Sequence, residues 1–153
     1  MPGRRWPIRL AAAIGGAAAA LAASTGTAGA SWPGEPPTSI VLPAIAEDLG
    51  SLLRDVSGAA EITFDEIDWY TFVAPVSGTY AISTATPGDS LDTVLGVFGP
   101  TGSRIAYNDD GFPDSFDSKV AVHLTALTRY YVGITNYSGT WGGSYQWTVD
   151  RPK

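Results

Sequence analysis

The stretch that decides the fold is SLDTVLGVFGPTGSRIAYNDDG, residues 90 to 111. Val94 to Phe98 and Arg104 to Asn108 are rich in β-formers, and Gly99-Pro100-Thr101-Gly102 between them is a tight-turn signal, so the stretch reads as a hairpin. Its acids sit at the ends that a hairpin brings together. Asp92 stands just before the first strand, and Asn108, Asp109 and Asp110 close the second. An antiparallel pair folds these two points back beside each other, where carboxylates repel unless a cation or water lies between them. A calcium site is one reading of that arrangement. An acidic turn is the other, because Asp, Asn and Gly also favour turns for backbone reasons.

The period of two continues on both sides of this hairpin. Trp69 to Ala74 turns Tyr70 and Phe72 inward, and Thr79 to Ala85 offers Tyr80 and Ile82; joined through Pro75-Val76-Ser77-Gly78, they read as a second hairpin. Downstream, Lys119 to Leu124 alternates Val120, Val122 and Leu124, Arg129 to Thr135 alternates Tyr130, Val132 and Ile134, and Ser144 to Val149 alternates Tyr145, Trp147 and Val149. With Ile62 to Phe64 the count is about eight short strands, the signature of an all-β, antiparallel, jelly-roll-like sandwich over residues 61–150. Its expected core is Tyr70, Phe72, Tyr80, Ile82, Leu95, Val97, Ile105, Val120, Val122, Val132, Ile134, Tyr145 and Trp147, the residues that alternation places on one face of each strand.

Upstream the pattern changes. Ile45, Leu49, Leu52, Leu53 and Val56 fall at helical spacing between Pro43 and Gly58, which suits a short helix; Gly50 inside the run leaves a loose edge strand as the rival. Ser31 to Thr38 (SWPGEPPT) is an extended lead-in, so residues 31–60 form an N-terminal segment ahead of the sandwich. Residues 1–30 carry Arg4, Arg5 and Arg9, an apolar run from Leu10 to Ala23, and Ala28-Gly29-Ala30 before Ser31, the order of a secretory signal peptide. The run falls short of the ~20 apolar residues that span a bilayer, so export with cleavage before Ser31 is expected, and no membrane association after it. The Arg4-Arg5 pair suits twin-arginine export, but the rest of that consensus is poorly matched and the route stays open.

Loss of that leader leaves six Lys or Arg against fifteen Asp and Glu, nine more acids than bases. Such a balance excludes a nucleic-acid role, which needs a basic face, and suits an extracellular protein or a cation binder. The chain has no cysteine, hence no disulfide, thiol nucleophile or lipid-modified N-terminal Cys. The remaining ~120 residues suffice for one domain that buries roughly two thirds of its unfolded surface.

No catalytic constellation emerges. The single histidine, His123, alternates onto the outer face of its strand, no Gly-x-Ser-x-Gly turn presents a nucleophile, and a zinc site needs more His or Cys than the chain owns. Paired carboxylates for glycoside hydrolysis stay open, since sequence gives no separation between acids.

Seven short motifs occur in order: Asp68-Trp69-Tyr70-Thr71-Phe72, Ser77-Gly78-Thr79-Tyr80, Leu91-Asp92-Thr93-Val94-Leu95, Pro100-Thr101-Gly102 before Ile105-Ala106, Asn108-Asp109-Asp110, Tyr130-Tyr131-Val132 and Gly143-Ser144-Tyr145. Over residues 61–149 this order resembles the bacterial pre-peptidase C-terminal domain family. The resemblance implies a jelly-roll-like sandwich of secreted proteins, usually appended to peptidases, in some members binding calcium and in collagenase-type members binding protein fibres. Two departures stand out. No peptidase domain precedes the module, and Thr125 to Arg129 replaces the usual Gly-containing turn before the Tyr130-Tyr131 strand.

Two binding constellations follow. Six of the fifteen acids lie between Asp89 and Asp117 against one base, Arg104. Calcium takes about 6 to 8 oxygen ligands, and the candidate set is Asp92, Asn108, Asp109 and Asp110, completed by Asp114 and Asp117 in the following loop. Asn108 to Gly111 is not an EF-hand, because the alternating acids and distal Glu are missing. Collagenase-type members draw calcium ligands from elsewhere, for which Glu35, Asp65 and Asp68 are the nearest counterparts here. The second constellation is aromatic: Tyr137 and Trp141, among glycines in residues 136–143, offer flat faces for a sugar or protein, unless Trp141 folds back over the core. Three function classes result. The first is a secreted, non-catalytic, calcium-stabilised binding or accessory module for an extracellular protein or polymer, with a secreted peptidase as a candidate client. The second is a carbohydrate-binding module that uses Tyr137 and Trp141, and the third a small secreted hydrolase.

Overall fold

The alternation of the sequence is realised as two facing sheets. The computed structural model describes residues 32, 34–63, 66–87, 91–113, 115–137 and 142–153, with the backbone of 9–10 and 21–22. The expected leader and its junction at Ala30 and Ser31 otherwise lie outside the described residues; the backbone there contributes one pairing, β1 (Arg9–Leu10) with β2 (Leu21–Ala22). Among the described residues nine strands make the sandwich: β3 (Glu47–Ser51), β4 (Val56–Ile62), β5 (Asp68–Ala74), β6 (Gly78–Ala85), β7 (Thr93–Phe98), β8 (Arg104–Asn108), β9 (Lys119–Leu124), β10 (Thr128–Asn136) and β11 (Gly143–Asp150). One sheet has the order β3-β5-β10-β7-β8 and the other β4-β11-β6-β9. Every pairing within them is antiparallel except β3 with β5.

The short helix expected across residues 40–56 does not form. Gly50 takes φ +70°, outside the helical region, and its N–H is turned onto Asp48 Oδ1 at 2.9 Å. The chain instead runs as β3 along the edge of β5, and it buries Leu52 while leaving Leu53 and Ile45 exposed. The edge-strand alternative is the correct one. Helical spacing misleads here because only one of the spaced residues is fully buried.

The hairpin expected of residues 69–85 is also replaced. β5 and β6 belong to different sheets, so the segment from Pro75 to Ser77 arches between layers. Tyr80 Oη donates to Val76 O across that arch at 2.9 Å, and Phe72 and Tyr80 face each other through the core with ring centroids 6.2 Å apart. The two strands were paired through their apolar faces and not through their edges.

Between the sheets lies the expected core, including Tyr70, Phe72, Tyr80, Ile82, Leu95, Val97, Val120, Val122, Val132, Ile134, Tyr145 and Trp147. Ile105 is the exception. Val97 stands opposite Ala106 while Phe98 stands opposite Arg104, so a bulge leaves Ile105 without a direct partner and turns it outward, 43 % exposed; Ala106 takes the inner position.

The five-stranded sheet is apolar on its outer face too, where Trp69, Val94, Phe98 and Ile67 form a second cluster with Trp32 from the lead-in. Gly96 and Gly133 are direct cross-strand partners, and a Cβ on either would come within 3.1 Å and 2.8 Å of the Trp32 ring. The paired glycines make the notch that the indole occupies. From there the lead-in runs to the start of β8, where Arg104 N donates to Thr38 O (2.9 Å), Ile40 N donates to Gly102 O (2.9 Å), and the Arg104 guanidinium bonds Pro36 O and Glu35.

Phe72 is 0 % exposed, so Phe72→Ala should destabilise the fold by roughly 3–5 kcal/mol, whereas Ile105→Ala should cost less than about 1 kcal/mol. Urea unfolding of the two variants checks the register of both strands at once.

Candidate functional site

The β7–β8 hairpin forms as expected, with Leu95 opposite Asn108, and it carries Asp92 and the Asn108–Asp110 run to one end of the sandwich. What holds that end is a buried knot of hydroxyls. Thr84 Oγ1 and Thr93 Oγ1 lie 2.6 Å apart, linking the end of β6 to the start of β7 across the two sheets. Ser118 N donates to Thr84 Oγ1 (2.8 Å), and Ser118 Oγ donates to Thr93 O (2.6 Å). Thr93 N donates to Phe116 O at 3.1 Å, Tyr137 N donates to Asp92 O at 2.8 Å, and Gly111 N donates to Asp117 O at 2.8 Å. The acidic loops are therefore fixed through their backbones.

The carboxylates are less well served. Burial, then the nearby Asp110 and Asp109, push the Asp92 carboxyl up to about 6 from its usual 3.8. Asp92 Oδ1 and Asn108 Oδ1 are both buried without a hydrogen-bond partner. Of the candidate ligands, Asp92, Asn108, Asp109 and Asp110 come to this end together. Asp117 Oδ1 accepts from Thr86 Oγ1 at 2.8 Å, and Asp114 lies outside the described residues, as do Asp89 and Asp65. Among the described residues no three His, Cys, Asp or Glu side chains already form a metal cage. Of the collagenase-type counterparts, Glu35 is engaged by Arg104 Nη2 at 2.6 Å. Tyr137 stands exposed beside the acidic end, whereas Trp141 lies outside the described residues. His123 is on the outer face of β9, opposite Thr79, as alternation required.

A second polar cluster was not read as one in the sequence, where Tyr70 and Tyr145 figure only as core residues and Glu47 not at all. Asp68 is buried at the start of β5, where Tyr145 Oη donates to its Oδ2 at 2.6 Å and lies 2.9 Å from Tyr70 Oη. Tyr145 has one proton and gives it to Asp68, so Tyr70 is the donor in the second bond. Glu47, opposite Tyr70 in the parallel register, is buried with Oε2 unpartnered, and burial raises its pKa. Burial likewise raises Asp68 to about 7, helped by Glu66 and Glu47 and opposed by the Tyr145 hydrogen bond. The signal available in the sequence was that Tyr70 and Tyr145 both occupy inward positions, where a hydroxyl needs a partner.

No protein-family model and no curated protein matches the sequence. Solved structures do. The chain is similar to the pre-peptidase C-terminal domain of a collagenase from Bacillus anthracis, at 20 % identity and TM-score 0.52, over 71 % of this chain and 97 % of that one. It is also similar to PliG from Aeromonas hydrophila, a periplasmic inhibitor of g-type lysozyme, at 16 % identity and TM-score 0.51, over 69 % of this chain and 98 % of that one. The all-β sandwich read from the sequence is thus the fold of known pre-peptidase C-terminal domains.

Because folding raises the Asp68 pKa from 3.8 to about 7, the folded state keeps a proton that the unfolded chain releases. Stability should be fully present below about pH 4 for this group and decline as pH rises to about 7, and Asp92 acts in the same direction. Asp68→Asn should flatten the decline, since the amide oxygen still accepts from Tyr145. Melting curves in chelator from pH 4 to 8 check this; a wild-type melting temperature that rises across that window contradicts it.

Proposed function

We propose that this chain is a secreted, non-catalytic binding or accessory module, stabilised by calcium, that attaches to an extracellular protein or polymer. The observation that carries the reading is a sandwich matched over nearly the whole of a collagenase's accessory domain, with a lysozyme inhibitor as a second protein of the same shape. The charged, apolar, small-x-small order of residues 1–30 supports export, and the acid excess suits the extracellular medium. Calcium is supported by the two orphaned oxygens, Asp92 Oδ1 and Asn108 Oδ1, beside Asp109 and Asp110. A divalent cation would offset two of the three carboxylate charges and give both oxygens a partner, with backbone carbonyls and water completing the shell. Tyr137, exposed on the rim of the same end, favours the carbohydrate-binding alternative.

Calcium binding only the folded state stabilises it by about 2.7 kcal/mol at a hundredfold excess over Kd. The melting temperature should rise with calcium and fall with chelator. Replacing Asp92 and Asp110 by Asn should abolish that response and slightly raise the stability of the metal-free protein by relieving repulsion. Calorimetric titration decides it: no heat and no shift at millimolar calcium would leave the hairpin a solvated acidic turn.

The two ligand classes separate by pull-down. A protein-binding module should be retained on collagen-type fibres or a co-secreted peptidase and lost from polysaccharide beads. Retention on polysaccharide that disappears with Tyr137→Ala would favour the sugar reading instead.

A further inference from the structure

Four aromatic side chains among the described residues are substantially exposed: Tyr107 (40 %), Phe112 (38 %), Phe116 (58 %) and Tyr137 (47 %). Three of them gather at the acidic end, and Tyr107 stands on the strand that leads to it. Tyr107 is on β8, Phe112 and Phe116 are in the loop after it, and Tyr137 directly follows β10. Two are tied by backbone bonds to Asp92 and its neighbour, Tyr137 N to Asp92 O and Thr93 N to Phe116 O, while Gly111, next to Phe112, bonds Asp117 O. The remaining described aromatics are buried or half-buried. Single exposed apolar residues are ordinary; a cluster of them marks a contact surface.

The surroundings specify the contact. Arg104 Cζ already lies 4.4 Å from the Tyr107 ring centroid and Lys119 Nζ lies 5.2 Å from that of Phe112. Two of the four rings therefore carry a cation of the chain itself. Phe116 and Tyr137, the two most exposed, are open to cations from outside. Asp92, Asp109 and Asp110 flank them, within a stretch that holds six acids and one base. An anionic membrane surface is repelled by such a charge, and a neutral sugar would use the rings but not the carboxylates.

We propose that in the metal-free protein this aromatic and acidic end of the sandwich docks a cationic segment of a partner protein, in competition with calcium, with lysine or arginine side chains over Phe116 and Tyr137 and their charges paired to Asp92, Asp109 and Asp110. The inference rests on the reading of the chain as a binding module and adds the chemistry of the partner. Ring faces attract ammonium and guanidinium groups, and the carboxylates steer them in at a rate that falls with salt.

The probe is fluorescein-labelled decaarginine, titrated in chelator and read by anisotropy, with an acidic peptide of equal length as control. Wild type should bind decaarginine and not the control. Phe116→Ala with Tyr137→Ala should weaken binding about tenfold while leaving the slope against salt unchanged. Asp109→Asn with Asp110→Asn should weaken binding and flatten that slope. All four positions are at or near the surface, and melting curves confirm that the variants fold. Wild-type affinity in the aromatic pair would reduce the contact to bulk charge and overturn the proposal, as would no binding at all. If the protein is captured by fibres or polysaccharide while decaarginine neither binds nor competes, the binding-module reading stands and this proposal alone fails.

Discussion

A β-sheet that is apolar on both faces must be covered on both, and the five-stranded sheet of this protein is such a sheet. Every residue of β7 is buried, with Leu95 and Val97 inside and Val94 and Phe98 outside; β5 likewise sends Tyr70 and Phe72 inward and Trp69 outward. A large aromatic left in water forfeits several kcal/mol at about 25 cal/mol per Å² of the roughly 150–250 Å² it can bury. The opposite sheet covers one face. The lead-in covers the other, with Trp32 seated where Gly96 and Gly133 stand paired without side chains, in contact with the rings of Trp69 and Phe98 at centroid distances of 6.2 Å each. From that anchor the chain is led to Arg104, whose bonds to Thr38 and Glu35 hold the start of β8. Covering the outer face thus fixes the hairpin whose far end carries the acids.

That far end is fixed by a different force. Thr84, Thr93 and Ser118 are almost completely buried and satisfy one another, so the loops entering β7 and β9 are held by hydrogen bonds that water does not compete for. Backbone bonds beside them set Phe116 and Tyr137 against Asp92–Thr93. Backbone order and side-chain frustration coexist there, since none of these bonds reaches the Asp92 or Asn108 oxygens left without partners.

Much of the architecture was legible in the sequence because alternation is strict wherever one face is wet. β9 and β11 read in–out without error, and Val120, Val122, Tyr145 and Trp147 are buried as expected. Three features were not legible, each for a physical reason. The bulge opposite Val97 shifts Ile105 outward, and nothing in a five-residue strand announces an extra residue. The β5–β6 connection has hairpin turn residues but joins strands of different sheets, a distinction that depends on which neighbours are available to each edge. Trp32 was taken as part of an extended lead-in, although Thr-Val-Leu-Gly-Val-Phe over β7 is a continuous apolar run, the sign of a strand with no wet face and hence of a covering layer. Leu127 shows how far a departure from the family pattern can be absorbed: it takes φ +59° in the turn before β10, where a glycine would be unstrained. Of the candidate site, Asp92 and the Asn108–Asp110 run were legible as neighbours, while the bond that Asp117 accepts from Thr86 joins residues 31 positions apart and was not.

The two acidic clusters resolve the same electrostatic problem in opposite ways. Asp68 lies deep between the sheets with a tyrosine hydroxyl at 2.6 Å, and its charge can be relieved by a proton because no larger cation need enter. Asp92 is only half-buried, close to Asp109 and Asp110, with one oxygen unpartnered, so relief from outside is accessible to it. A proton there would remove one charge of three, whereas a divalent ion or a pair of guanidinium groups removes most of the repulsion and also supplies donors or coordination to the free oxygens. The depth of each carboxylate therefore separates their roles: the inner one belongs to the stability of the sandwich, and the outer group is a place where a ligand would improve an interaction that folding leaves incomplete.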